Sequence, residues 1–162
     1  MNRRKPGSFL SWVTLLVIFS APETFARGEP VHVNAGSRAQ QASLRPPRPA
    51  KNLNDLIKRL RAGGRKAVRG GKVSQPFFSV GGQIIIVDGE QVQVFQYASA
   101  KAAEREAKVV DQQGSAVGTS VPMWVAPPHF YKSGRLIVLY VGQSSPVIIA
   151  LERALGPQFA GK

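Results

Sequence analysis

Apolar residues recur with helical spacing near residue 53. The residues at i, i+3, i+4 and i+7 are Leu53, Leu56, Ile57 and Leu60. This spacing places them on one face of a helix, which an asparagine at 52 or 54 can cap and Gly63-Gly64 can end. The pattern predicts the first core helix of a domain. A basic amphipathic helix lying on a membrane is the alternative.

A tight hairpin followed by a second helix is predicted in the middle of the chain. After a short segment at 66–73, residues 84–97 contain two β-rich runs separated by Asp88-Gly89, a dipeptide that accepts the positive φ angles of a hairpin turn. Ser99 can cap a helix over 100–112. Its packing face would contain Ala103, Ala107 and Val110.

The last third of the chain predicts a second hairpin and a third helix. One strand is expected at Val117–Ala126 and the other at Arg135–Val141, with 127–134 as a connection at the surface. Residues 136–141 are apolar on both alternating faces, which is typical of a central strand. Pro146 favours the first turn of a helix over 147–155, which Gly156-Pro157 would end.

The predicted elements follow the order α-β-β-β-α-β-β-α. Strand hairpins interrupted by helices predict an α+β fold of two layers, in which an antiparallel sheet of about five strands has helices packed mainly on one face. The chain contains no cysteine, so this domain, at residues 51–162, must be stabilised by its core alone. A domain of this size can bury a sufficient core.

The first 26 residues have the three parts of a secretory signal peptide. Arg3, Arg4 and Lys5 precede a 13-residue apolar run at 9–21, and the small residue Ala26 follows. A membrane-spanning helix needs about 20 apolar residues. We therefore expect a cleaved signal at 1–26 and a periplasmic or extracellular protein, with an uncleaved signal anchor in the inner membrane as the alternative.

The formal net charge of +13 is distributed unevenly. Residues 27–72 contain twelve Lys or Arg and two acidic residues, whereas 73–162 contain seven and six. Residues 27–50 are rich in Arg and Pro and poor in apolar side chains, which predicts a basic, disordered linker. Contact with an anionic polymer or lipid through 27–72 is one interpretation, and a solvated linker without a specific role is the other. Nucleic-acid binding is not favoured, because the predicted domain lacks a basic face interleaved with aromatic residues.

Catalytic and metal-binding patterns are not found in the sequence. The only histidines are His32 and His129, no thiol is available, and the carboxylates of the domain fall at a turn or on helix faces. A nucleophile elbow, a His-x-x-x-His pair and a phosphate-binding glycine loop are all missing. The sequence therefore predicts a protein that is not an enzyme and that uses no metal or cofactor.

A proline-rich and aromatic connection is the predicted partner-binding site. Aromatic rings with a polar group provide contact area at low entropic cost, as recognition surfaces require. The candidate residues are Phe77, Phe78, Trp124, His129, Phe130, Tyr131 and Arg135. The alternative is structural, with the aromatic residues closing one end of the sheet and His129 hydrogen-bonded inside a turn.

Four segments resemble a family of small exported bacterial domains of unknown function, many of them predicted lipoproteins. The segments are FFSV at 77–80, WVAPPHFY at 124–131, GRLIVLYVG at 134–142 and LGPQFAG at 155–161. The resemblance covers about 52–161 and implies export and an independent accessory domain, but no activity. This chain lacks the cysteine of the lipoprotein members.

Two functions are compatible with these features. The first is an exported, non-catalytic accessory or binding domain of the cell envelope, whose ligand is an unknown envelope protein or a small molecule. The second is a structural protein that its basic arm holds to anionic polymer or lipid. Deletion of residues 27–50 distinguishes them, because only the second function requires the arm for retention.

Overall fold

The computed structural model describes residues 48–161 of the 162-residue chain. The predicted signal peptide and nearly all of the predicted linker lie outside these residues. The helices are α1 (Leu53–Ala62), α2 (Ala100–Ala107) and α3 (Ser145–Leu155). The strands are β1 (Ala67–Val73), β2 (Gly82–Val87), β3 (Glu90–Gln96), β4 (Pro128–Ser133), β5 (Leu136–Val141) and β6 (Gln158–Gly161). Within residues 48–161, no helix has the length and apolar character needed to cross a membrane.

The six strands form one antiparallel sheet in the order β1-β2-β3-β5-β4-β6. The α+β class and the antiparallel sheet are therefore confirmed. The hairpin at Asp88-Gly89 is also confirmed, since both residues have positive φ angles, 51° and 95°. β5 lies between β3 and β4, so both of its edges are paired, and both of its faces are apolar because Leu136 and Val138 pack in one core and Ile137 and Leu139 in the other.

Both faces of the sheet are covered by side chains. On the first face α1 and α3 pack against Val92, Val94, Leu136 and Val138, so two of the three helices share one face as expected. On the second face α2 packs with the segments around Phe78 and Val117 against Phe95, Phe130, Ile137 and Leu139. The second face therefore has a partial third layer that the two-layer prediction did not include.

The prediction for residues 117–134 was wrong in its boundaries. β4 occupies Pro128–Ser133, which was expected to be a surface connection, whereas 118–127, most of the expected strand, contains neither helix nor strand. Proline is tolerated at the first residue of a strand, and Pro128 has that position. The hairpin turn comes later, at Gly134, which has a φ of 55°.

The sixth strand was not predicted. β6 is only four residues long, and it pairs with β4 with a register shift between Phe130 and Tyr131. A segment this short has too little alternation to indicate a strand in the sequence. Its existence depends on the edge that β4 offers, and β4 was itself not predicted.

The fold includes at least the last residue of the predicted linker. Ala50 is fully buried, its N–H donates to the carbonyl of Ala154 at 2.8 Å, and its carbonyl accepts from Ser133 Oγ at 2.5 Å. The basic residues that follow lie in α1, in β1 or directly beside these elements. Residues 51–162 contain fifteen Lys or Arg and seven Asp or Glu, so the domain itself is strongly basic.

Candidate functional site

The predicted partner-binding residues are divided among three places. Four of them belong to one aromatic cluster on the second face, where Trp124 lies 6.1 Å from Phe77 and 6.0 Å from Phe130 between ring centroids. Phe77 also packs edge-on against Phe78 at 5.0 Å. Phe78 and Phe130 are buried, so this cluster is mainly part of the core.

His129 and Tyr131 lie on the opposite face of β4 from Phe130. Tyr131 is fully buried in the first core, and the prediction of a surface position for it was wrong. Successive residues of a strand point to opposite faces, so β4 separates side chains that a loop would keep together. Arg135 lies outside both cores, between β4 and β5, and lines a groove at one end of the sheet.

That groove, which we call the basic groove, has a volume of about 910 Å³. It lies between the first residues of α1 and the ends of β1, β2 and β3 at the same end of the sheet. Three cationic side chains line it, from Arg69, Lys72 and Arg135, and its lining contains no carboxylate. Its other polar side chains are Asn52, Asn54, Ser74, Gln83 and Gln96.

The side-chain amides of the basic groove are oriented by hydrogen bonds. Asn52 Oδ1 accepts from the N–H of Asp55 at 2.9 Å, and Gln96 Oε1 accepts from the N–H of Leu53 at 3.1 Å. Asn54 Oδ1 accepts from the guanidinium of Arg69. Because each donor is unambiguous, the oxygen atoms of the three amides are identified, and their NH2 groups remain as donors for a ligand.

Gln83 has the opposite orientation. Its Nε2 donates to the carbonyls of Gly70 and Gly71, at 2.7 Å in both cases. This contact covers the backbone of β1 where its register with β2 shifts, between Arg69 and Lys72. The shift is a β-bulge, which bends an edge strand and re-aims its side chains. The bulge therefore separates the two cations that β1 contributes to the groove.

Asp55, which follows Asn54 of the basic groove, and Asp88, at the opposite end of β2, are paired with cations outside the groove. Asp55, in the first turn of α1, contacts Arg59 at 3.1 Å, and the N–H of Lys51 lowers the pKa of its carboxyl more than any other neighbour. Asp88 contacts Arg65 at 3.1 Å, and the N–H of Lys66 is the main cause of its lowered pKa. Among residues 48–161, no ion pair is formed by Arg69, Lys72 or Arg135. Their charges therefore remain available to a ligand.

The basic groove was missed because two of its three cations, Arg69 and Lys72, are contributed by the segment that was assigned to the arm and its junction. The sequence signal was the pair Arg69 and Lys72 on either side of Gly70-Gly71 within a predicted short segment. Only the pairing of β1 with β2 brings this segment next to Asn54 and Arg135. Of the seven predicted residues, Arg135 alone lines this groove.

A smaller polar cluster occurs near α2. Ser79 Oγ donates to Glu106 Oε1 at 2.6 Å beside a cleft of about 660 Å³ that Phe77 and Phe78 also line. A carboxylate that accepts from a serine is an ordinary surface contact unless a third group orients the pair for nucleophilic attack. Within the described part of the chain, no group of three His, Asp or Glu side chains is arranged to hold a metal ion.

An exposed apolar segment precedes β4. Val121, Met123 and Val125 are 79%, 97% and 98% exposed, whereas Trp124 between them turns inward. Its Nε1 donates to the carbonyl of Gly114 at 2.7 Å. Trp124 therefore attaches the segment to the domain, and its neighbours in the chain point to solvent.

Comparisons of this chain with family models, with curated proteins and with solved structures find no match. The resemblance to small exported domains stays a prediction.

Proposed function

We propose that this protein is a non-catalytic binding domain of the cell envelope whose basic groove holds an anionic ligand. The observation that supports the proposal is the composition of the groove. Its lining contains three cations and three amide side chains whose oxygen atoms already accept hydrogen bonds, and no carboxylate. A ligand that matches this lining carries negative charge and accepts hydrogen bonds.

The arrangement favours anions for two physical reasons. Hydrogen bonds between a charged donor and an anionic acceptor are roughly twice as strong as neutral ones. A concave site lined by one sign of charge also concentrates its electric field and raises the local concentration of the oppositely charged ligand. The contact between Arg69 and Asn54 holds one guanidinium at the groove before any ligand arrives, which reduces the ordering entropy lost on binding.

Binding of tripolyphosphate to the chain from residue 27 onward, measured by calorimetry, tests the groove. Changing Lys72 and Arg135 together to Gln should weaken binding at least tenfold, because both charges line the groove. The matched control changes Lys101 and Lys108 to Gln, two exposed cations on or next to α2. The basic arm is identical in both variants. Equal losses in the two would contradict the proposal and indicate nonspecific charge attraction.

The envelope location rests on the N-terminal sequence. If export occurs as proposed, N-terminal sequencing of the exported protein should begin at or near Arg27. Recovery of an intact Met1 in the membrane fraction would instead support the signal anchor.

The structural role for the basic arm remains a second proposal. It rests on the Arg- and Pro-rich sequence of 27–50. Because Ala50 is buried in the fold, the deletion is limited to 27–47, which leaves Ala50 and the cations of α1 and β1 in place and so separates the arm from the groove. If the deletion abolishes retention in the envelope, the arm is what holds the protein there. If retention persists, the domain holds it.

A further inference from the structure

A second groove adjoins the basic groove along the outer side of α1. It has a volume of about 400 Å³ and is lined by Asn54, Ile57, Lys58, Arg61 and Arg69. Asn54 and Arg69 line both grooves. The hydrogen bond between these two side chains therefore lies where one groove passes into the other.

The two grooves together align five cations without a carboxylate in either lining. The cations are Lys58, Arg61, Arg69, Lys72 and Arg135. Lys58 and Arg61 are about one helical turn apart, near 4.5 Å of rise, and Arg69 and Lys72 are separated by about 10 Å of strand. These charges follow a path from α1 across β1 to the start of β5 and do not converge on one point.

We propose that the ligand of these two grooves is an extended chain with repeated negative groups, which lies along this path and contacts both grooves at once. The inference rests on the proposed function of the basic groove and extends it to the second groove. A compact anion reaches the cations of one groove only, so Lys58 would add nothing to its binding. An extended polyanion uses all five.

The lining also indicates the chemical class of the chain. Neither groove is lined by an aromatic side chain, and single-stranded nucleic acids gain much of their affinity from bases stacked on such rings. The amide side chains of the basic groove, whose oxygen atoms already accept hydrogen bonds, have NH2 donors that match phosphate and hydroxyl oxygens. A phosphate-bearing chain of sugars or polyols therefore fits the grooves better than a nucleic acid does.

Long-chain polyphosphate is a suitable probe, with tripolyphosphate as the compact anion for comparison. Changing Lys58 to Glu should weaken binding of the long chain at least fivefold and leave tripolyphosphate binding unchanged. Lys58 is exposed and takes part in none of the ion pairs within residues 48–161, so the fold should persist. Lys101→Glu, on α2, is the control for net charge. Both variants retain the basic arm, so its contribution cancels in the comparison.

The salt dependence gives a second measurement. Each phosphate contact with a flexible chain contributes about 0.7 to the slope of log affinity against log salt, so five contacts predict a slope of about −3.5. Lys58→Gln should reduce the magnitude of this slope by about 0.7.

Three outcomes would contradict the proposals. If the long chain binds no more tightly than tripolyphosphate and Lys58→Glu leaves its affinity unchanged, the inference about the second groove is overturned, and the proposal for the basic groove is unaffected. Failure of both probes to bind would contradict the proposed function itself. Tighter binding of oligothymidylate with the same number of phosphates would overturn the chemical class.

Discussion

His129 and Tyr140 stack across β4 and β5, with ring centroids 5.8 Å apart and 21° between the ring planes. His129 Nε2 donates to the carbonyl of Gly142 at 3.0 Å, since a carbonyl can only accept, and Nδ1 lies 2.9 Å from the amide of Gln158. The Tyr140 hydroxyl accepts from the N–H of Ser144 at the start of α3. This pair therefore connects four elements, which is a structural role for His129.

Gly142→Ala should destabilise the domain by disturbing this pair. A Cβ at Gly142 would lie 2.3 Å from the Tyr140 hydroxyl oxygen, and Tyr140 is fully buried and has little room to move. Overpacking of this kind costs about 1 to 3 kcal/mol. The free energy of unfolding from urea titrations measures the change.

Gly71→Ala is the matched control for Gly142→Ala. Gly71 is exposed on β1, has no positive φ angle, and an added Cβ would meet no atom within 4 Å. We expect a change within about 0.5 kcal/mol. Similar losses in the two variants would contradict the assigned contact at Tyr140.

Tyr131→Phe should leave stability unchanged or raise it, whereas Tyr140→Phe should lower it. The Tyr131 hydroxyl is buried and has no hydrogen-bond partner within residues 48–161, so its removal relieves an unpaired polar group. The Tyr140 hydroxyl accepts the N–H of Ser144, and its loss costs about 0.5 to 1.5 kcal/mol. Thermal melts compare the two variants directly. A lower melting temperature for Tyr131→Phe than for Tyr140→Phe would reverse this assignment.

Leu139→Ala and Tyr131→Ala should both be strongly destabilising. Position 131 looked like a surface connection in the sequence, which predicted a small effect for it, but both side chains are fully buried in the structure. Truncation of buried side chains of this size costs about 2 to 5 kcal/mol. The free energy of unfolding of both variants, from chemical denaturation, checks this expectation. A small loss for Tyr131→Ala would indicate that Tyr131 lies at the surface.

Trp124→Ala should destabilise the domain, and Met123→Ala should not. Trp124 packs against Phe77 and Phe130 and donates to Gly114, so its loss should cost about 2 kcal/mol. Met123 is 97% exposed, and its truncation should change stability by less than about 0.5 kcal/mol. Circular dichroism melts measure both. Equal effects would mean that Met123 is covered in solution.

Asp111→Asn should reduce the acid sensitivity of the domain. The Ser115 hydroxyl, followed by the N–H groups of Ser115 and Ala116, holds the pKa of Asp111 below its usual range. A carboxyl with a lowered pKa stabilises the fold above its unfolded value of about 3.9, and this contribution disappears as the pH falls through the folded pKa. The variant should therefore be less stable near pH 7 and should lose less stability between about pH 5 and 2. Melting temperatures that fall equally with pH in the variant and in the unchanged protein would contradict this role of Asp111.

The local elements were largely predictable because their signals lie close together in the chain. Asn52 caps α1 through the N–H of Asp55, and Ser99 caps α2 through the N–H of Ala102, as the sequence suggested. The Asp88-Gly89 hairpin depends on the backbone preferences of two residues. β4 was missed because Pro127-Pro128 resembles a loop signal and because its burial depends on the cores that cover the two faces of the sheet.

The sequence by itself determined the α+β class, the presence of three helices, the first hairpin and the apolar character of β5, because each depends on local spacing or turn chemistry. The end of α2 was predicted wrongly, since the helix stops at Ala107 and not at 112, and Val110 forms a β-bridge with Val117. Tertiary structure alone decided which side chains share a surface. Pairing in the sheet separated Phe130 from Tyr131 on opposite faces, and it placed Arg69 of the supposed basic junction beside Asn54 and near Arg135. Such neighbours are 15 and 66 residues apart in the chain. A local sequence pattern cannot predict that these residues are close together, because their proximity results from the strand order and register.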